Sequence, residues 1–131
     1  MDSKKLLIRI VFLVLIIFLL NYLAMKFYWY YSIWYFDILM HFLGGIWLGF
    51  AFLYFFSIEK ITFNLILKIL FVTLLIGIGW EIFEILIDNF ITGKYFNYLD
   101  TISDLLFDLA GSLFVVFYFL KRAMSNEKNI V

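Results

Sequence analysis

The 131-residue sequence has no cysteine and no proline. Without cysteine there is no disulfide framework, no haem attachment and no thiolate metal site. Without proline the usual helix kinks and X-Pro turns are gone, so long unbroken helices are expected. Charge is scarce as well: charged residues make up 15% of the chain, and ten basic side chains balance ten acidic ones. A neutral chain offers nothing to nucleic acid. There is a single histidine, and no Ser-His or Cys-His nucleophile pair is evident. Nothing signals a haem, flavin or nucleotide.

What fills the space is apolar. Hydrophobic residues account for 66% of the chain and aromatics for 24%, with a mean hydropathy of +1.05, whereas soluble domains are about half apolar. A chain this short buries only about two thirds of its surface on folding, so the rest must face lipid. The expected fold class is therefore all-α: an integral membrane bundle of four transmembrane helices forming a single domain over residues 1–131.

The first span, about residues 6–25, follows Lys4-Lys5 like a signal peptide. It lacks a small-x-small cleavage site, so it reads as an uncleaved signal anchor. Residues 27–36 (FYWYYSIWYF) are almost wholly aromatic, the composition of a segment at headgroup level. The second span, 38–58, is close to the roughly 20 residues needed to cross. Glu59-Lys60 breaks it from a third span, 62–88, whose most apolar part starts at Ile69. Thr92-Gly93-Lys94 and Asn97 mark residues 89–99 as a loop. The fourth span, 101–120, ends at Lys121-Arg122, and 121–131 is a short polar tail.

Lysine and arginine collect on the cytoplasmic side of membrane proteins. If the chain starts in the cytoplasm, that side holds Lys4, Lys5, Arg9, Lys60, Lys68, Lys121, Arg122 and Lys128, and the other keeps Lys26 and Lys94. Both termini are therefore expected in the cytoplasm of a multi-pass cell-membrane protein. Asp37, Glu81, Glu84, Asp88, Asp100, Asp104 and Asp108 then all fall toward the outer face. Asp37 and His41 are four apart on one helical face, as are Asp104 and Asp108; Glu81, Glu84 and Asp88 follow i, i+3, i+7. At 1.5 Å per residue, Asp37, Asp88 and Asp100 form a mouth. His41, Glu84 and Asp104 lie roughly 6 Å in, and Glu81 and Asp108 roughly 10–12 Å in.

Some of these residues have ordinary explanations. Asp37 and Asp100 sit where acids cap helix N-termini. Glu81 and Glu84 do not, because they lie near a helix C-terminus, where the dipole disfavours negative charge. Asp108 is too deep to cap. Lys26 and Lys94 cannot balance seven carboxylates, so bound cations, retained protons or a water-filled cavity must. Gly44, Gly45, Gly49, Gly77, Gly79 and Gly111 most simply permit close helix contact.

The pattern Asp37-x3-His41-Phe42, Trp80-Glu81-x2-Glu84 and Asp100-x3-Asp104-x3-Asp108-x2-Gly111 resembles small bacterial membrane proteins of the VanZ-like and YjdF-type families. The resemblance covers residues 36–115. VanZ-like proteins usually carry Gln at Glu84, Asn at Asp108 and an Arg in the third loop that this chain lacks; the YjdF-type pattern is closer. The VanZ-like resemblance implies a cell-envelope role.

Three functions are consistent with these features. One is a metal-dependent hydrolase or transferase acting on a lipid or lipid-linked envelope substrate. Its ligands would be His41, Glu81, Glu84, Asp104 and Asp108, suited to Mg²⁺, Mn²⁺, Ca²⁺ or Zn²⁺. Glu81, Glu84 and Asp108 would be the catalytic centre, Asp37 would orient His41, and Asp88 and Asp100 would stand at the mouth. The others are an ion, metal or proton transporter, and a non-catalytic component binding a cation or partner. The apolar cytoplasmic halves of the second and fourth spans favour a pocket open to one side over a path. Four helices enclose only a small cavity, which leaves a homodimer open beside membrane lipid as a partner.

Overall fold

The computed structural model describes residues 3–56, 61–93 and 95–128. The Glu59-Lys60 break, Lys94 and the last three residues lie outside them. Five α-helices and one π-helical turn follow each other along the chain, and no strand occurs among the described residues. They are α1 (Ser3–Phe27), α2 (Trp29–Ser32), α3 (Phe36–Phe55), α4 (Phe63–Ile87), the π turn Asp88–Thr92, and α5 (Tyr98–Lys128). Four helices, α1, α3, α4 continued by its π turn, and α5, are long and apolar enough to cross a membrane.

The helix boundaries follow from local chemistry. Tyr28 adopts the left-handed conformation at φ 58°, uncommon for a residue with a side chain, and turns the chain sharply from α1 into α2. The Thr62 hydroxyl accepts from the Leu65 backbone N–H at 3.3 Å and caps α4. The Asn97 side-chain oxygen does the same for α5, accepting from the Leu99 N–H at 3.2 Å. Both satisfy a donor that a helix start leaves without an intrahelical partner.

The two largest departures from the expected boundaries lie after α4 and at the end of α5. The loop at 89–99 is shorter, because α4 continues into the π turn until Gly93, at φ 67°, returns its N–H to the Asp88 carbonyl at 2.7 Å. Asn89, Phe90 and Ile91 contain no helix breaker, and glycine is the first residue that takes the left-handed turn without strain. The fourth membrane-crossing stretch does end at Arg122, but the helix that carries it does not: α5 runs on to Lys128. No glycine or proline interrupts it, and Lys, Arg, Ala and Met are strong helix formers.

The most extensive packing is between α3 and α5. A Cβ placed on Gly111 would collide with the Phe42 carbonyl oxygen, and one on Gly45 with the Asp108 carbonyl oxygen. The backbones therefore touch where these glycines meet. One turn on, a Cβ on Gly49 would stand 3.1 Å from Val115 Cβ. Gly45-x3-Gly49 is the small-xxx-small spacing by which membrane helices approach closely. Beyond that contact Leu6, Ile10, Leu53, Ile69, Val115 and Val116 form an apolar core joining all four long helices. On its other side the same helix pair carries polar residues.

Candidate functional site

His41 faces inward from the second turn of α3 and is 7% exposed. Its ring meets carboxylates from three helices. The Nε2 atom lies 4.0 Å from Asp37 Oδ1 on α3, 3.8 Å from Glu81 Oε1 on α4 and 3.9 Å from Asp104 Oδ2 on α5. The Nδ1 atom lies 3.3 Å from Asp108 Oδ1, one turn further along α5. Glu81, Asp104 and Asp108 are all buried.

The two ring nitrogens are in different situations. With Asp108 ionised its oxygen can only accept, and in that state the contact is a hydrogen bond donated by Nδ1–H. At Nε2 the three oxygens stand too far for hydrogen bonds of ordinary length. They surround the nitrogen without closing on it. One ligand atom from each of Asp37, His41 and Asp104 lies within 4.8 Å of the others, and the same holds for His41, Glu81 and Glu84. Ligands bound at about 2.0–2.6 Å to one ion are separated by at most about twice that. The Oε1 atom of Glu81 is buried and has no hydrogen-bond partner, although Glu81 is only 6% exposed. A buried acceptor without a partner is costly, and this one points at the space beside Nε2.

Above His41 a cleft of about 40 Å³ is lined by Glu81, Glu84, Asp88, Asp100, Thr101 and Asp104, with Asn89, Tyr95, Phe96 and Asn97 at its rim. That is room for about one or two water molecules. The structure thus gathers Asp37, His41, Glu81, Glu84, Asp104 and Asp108 around one point and leaves Asp88 and Asp100 on the cleft wall. The depth layers expected from helical rise are bridged by the imidazole, whose ring reaches from Asp37 at the mouth to Asp108 below. Asp37 lies on the Nε2 side with Glu81 and Asp104, and the contact to the other nitrogen comes from Asp108.

A family profile described as predicted membrane protein (DUF2238) matches residues 4–124, nearly the whole described chain and every residue of the cluster. The chain belongs to this DUF2238 family. No curated protein and no solved structure matches it. Family membership agrees with the four apolar spans of a multi-pass membrane protein, and the structure adds the buried acidic and histidine cluster.

Thr101, Asn89, Asn97, Tyr95 and Phe96 are cleft residues that spacing rules did not single out. For Asn89, Asn97, Tyr95 and Phe96 the signal was present only as loop chemistry, since turn-forming and aromatic residues between two spans read as a connection, and Thr101 read as the first residue of the fourth span. The π turn carries Asn89 to the cleft that Asp100 and Thr101 also line. Pairing Gly44, Gly45 and Gly77 with Asp108 also required three dimensions.

Proposed function

We propose that this protein holds a divalent cation between His41 Nε2 and the carboxylates of Asp37, Glu81, Glu84 and Asp104, and uses it in hydrolysis or group transfer on a lipid or lipid-linked cell-envelope substrate. One observation carries the reading: three carboxylates from three helices surround Nε2 at 3.8–4.0 Å, and the Glu81 oxygen among them is buried without a partner. A single imidazole cannot balance this many carboxylates in a low-dielectric interior. The donor set of one imidazole and several carboxylates suits Mg²⁺, Mn²⁺, Ca²⁺ or Zn²⁺.

Bound there, the cation would polarise a phosphoryl or carbonyl oxygen and sharpen a water or hydroxyl nucleophile. The chain's own groups do the rest. Glu84, half-buried between the cluster and the cleft, is placed to accept the proton of that nucleophile. Asp88 and Asp100 keep the mouth wet, and the Thr101 hydroxyl and the Asn89 and Asn97 amides offer hydrogen bonds to a polar head. The rim supports a lipid substrate: Phe90, Ile91, Tyr95, Phe96 and Tyr98 are all more than half exposed where the spans end, the level at which amphipathic rings meet headgroups.

The backbones of α3 and α5 touch at Gly45 and Gly111, and that contact, just below the cluster, supports a pocket over a transport path between these two helices. The cell-envelope role implied by the VanZ-like resemblance belongs with this reading, as do an outward-facing site and cytoplasmic termini. Metal analysis of the purified chain tests it. One ion per chain in the wild type, absent from a folded Glu81→Ala variant, is expected; no ion in either sinks the proposal. Flux through liposomes that stops in Asp108→Asn would instead establish transport.

A further inference from the structure

Three glycines from two helices converge on one carboxylic acid. A Cβ on Gly77 of α4 would stand 2.8 Å from Asp108 Oδ2 and 2.9 Å from Leu105 Cδ2, and one on Gly44 of α3 would stand 3.8 Å from Asp108 Oδ1. The third, Gly45, lets the Asp108 backbone carbonyl lie directly against α3. The contrast with Gly79 is informative. It sits two residues along α4 from Gly77, and a Cβ there would meet nothing within 4 Å. Close helix contact alone does not explain Gly77, because its nearest neighbour is the Asp108 side chain.

We infer that Gly44, Gly45 and Gly77 form a slot that holds the Asp108 carboxylate against His41 Nδ1, making Asp108 a positioning residue that presents Nε2 to a cation, and not itself a ligand. The inference rests on the proposed cation site. Asp108 Oδ1 lies 3.3 Å from Nδ1, on the side of the ring opposite the three carboxylates near Nε2. A histidine that binds a metal through one nitrogen commonly donates its other N–H to a carboxylate, which fixes the tautomer and the ring plane. Here the slot fixes the carboxylate too. Asp108 is 5% exposed, its backbone lies against α3, and its two oxygens lie beside glycines of different helices. It has little room to turn toward the Nε2 side.

His41 is the only histidine in the chain, so protein labelled with ¹⁵N-histidine gives one imidazole spectrum. In detergent or nanodiscs, with Zn²⁺ as the probe, the wild type should keep a strongly downfield Nδ1–H signal and bind Zn²⁺ through Nε2. Asp108→Leu should lose that proton signal and bind Zn²⁺ about 10–100-fold more weakly, the usual cost of removing such an outer partner. Asp108→Asn, which can still accept from Nδ1–H, should keep the signal with a smaller loss.

Gly77→Ala should shift the His41 signal and weaken Zn²⁺ binding, and should still do so with Leu105→Val added to relieve the apolar clash; Gly79→Ala should do neither. Zn²⁺ bound through Nδ1, an unchanged spectrum in Asp108→Leu, or equal effects of Gly77→Ala and Gly79→Ala would overturn the inference. If Zn²⁺ leaves the imidazole of the wild type untouched, the cation site fails on its own. The Nδ1–H signal of the metal-free variants then still decides whether Asp108 holds His41.

Discussion

The α3–α5 pair joins two ends that are packed on opposite principles. Around Leu53, Val115 and Val116 the end is apolar, and its side chains meet partners from α1 and α4. In lipid such contact gains little from the hydrophobic effect, because the tails are as apolar as the side chains, so close packing must carry it. Around His41 the same two helices bury a histidine and two acids, Asp104 and Asp108, which costs free energy unless they are paired. Glycines at the junction bring the backbones together. The apolar end, with the junction, makes the bundle; the polar end is imposed on that framework and needs a reason other than stability.

The largest effect should come at the junction. Gly111→Val drives a branched side chain into the α3 backbone at Phe42 and Ile46. Overpacking a core typically costs about 1–3 kcal/mol, and backbone that cannot yield puts this at the upper end or beyond. Loss of monodisperse protein in size-exclusion chromatography is expected, and a normally folded variant would show that the helices are free to separate.

Next comes the polar end. Glu81→Ala should lower divalent-cation affinity by two orders of magnitude or more while leaving metal-free thermal stability nearly unchanged, since losing the buried Oε1, which has no hydrogen-bond partner, offsets losing the hydrogen bond of the same carboxylate with Thr101. A variant that both binds metal normally and melts earlier would make Glu81 a structural residue and erase the contrast. Leu53→Ala should do the reverse: a loss of about 2 kcal/mol, at the low end for a buried Leu truncated to Ala, with metal affinity within about twofold of wild type. Unfolding in mixed micelles and a Zn²⁺ titration on the same sample check both halves of that statement.

The smallest effect concerns Tyr30, outside the spans. Its hydroxyl donates to Asn21 Oδ1 at 2.8 Å and its ring stands edge-on to Phe36 at 5.0 Å. Burial first, then the charges of Asp37 and Glu84, push its phenol up to about 12. A group whose folded value lies above its ordinary value of about 10 contributes stability that is complete below pH 10 and lost as pH rises through 12. Ultraviolet titration should show one late-ionising tyrosine that disappears in Tyr30→Phe; an identical curve would detach α2 from the acidic end.

The comparison also shows what a linear sequence carries. The four spans were legible because lipid forces about 20 consecutive apolar residues per crossing, and the acids stood out because each interrupts such a run. Helical spacing placed Asp37 with His41 and Asp104 with Asp108 on common faces. It could not say which nitrogen of His41 each acid meets, because that depends on the rotation of α3 against α5, set by Gly45 and Gly111. The continuation of α5 past Lys121-Arg122 was hidden for a different reason. Charge marks where a helix leaves lipid, not where its hydrogen bonds stop.

The claim that the polar end exists to hold a cation is tested most directly by measuring Zn²⁺ or Mn²⁺ binding to the full chain and its His41→Ala and Glu81→Gln variants in nanodiscs. Saturable binding of one ion per wild-type chain, weakened at least 100-fold in both folded variants, is the predicted result. Wild-type binding no tighter than that of either variant would contradict it.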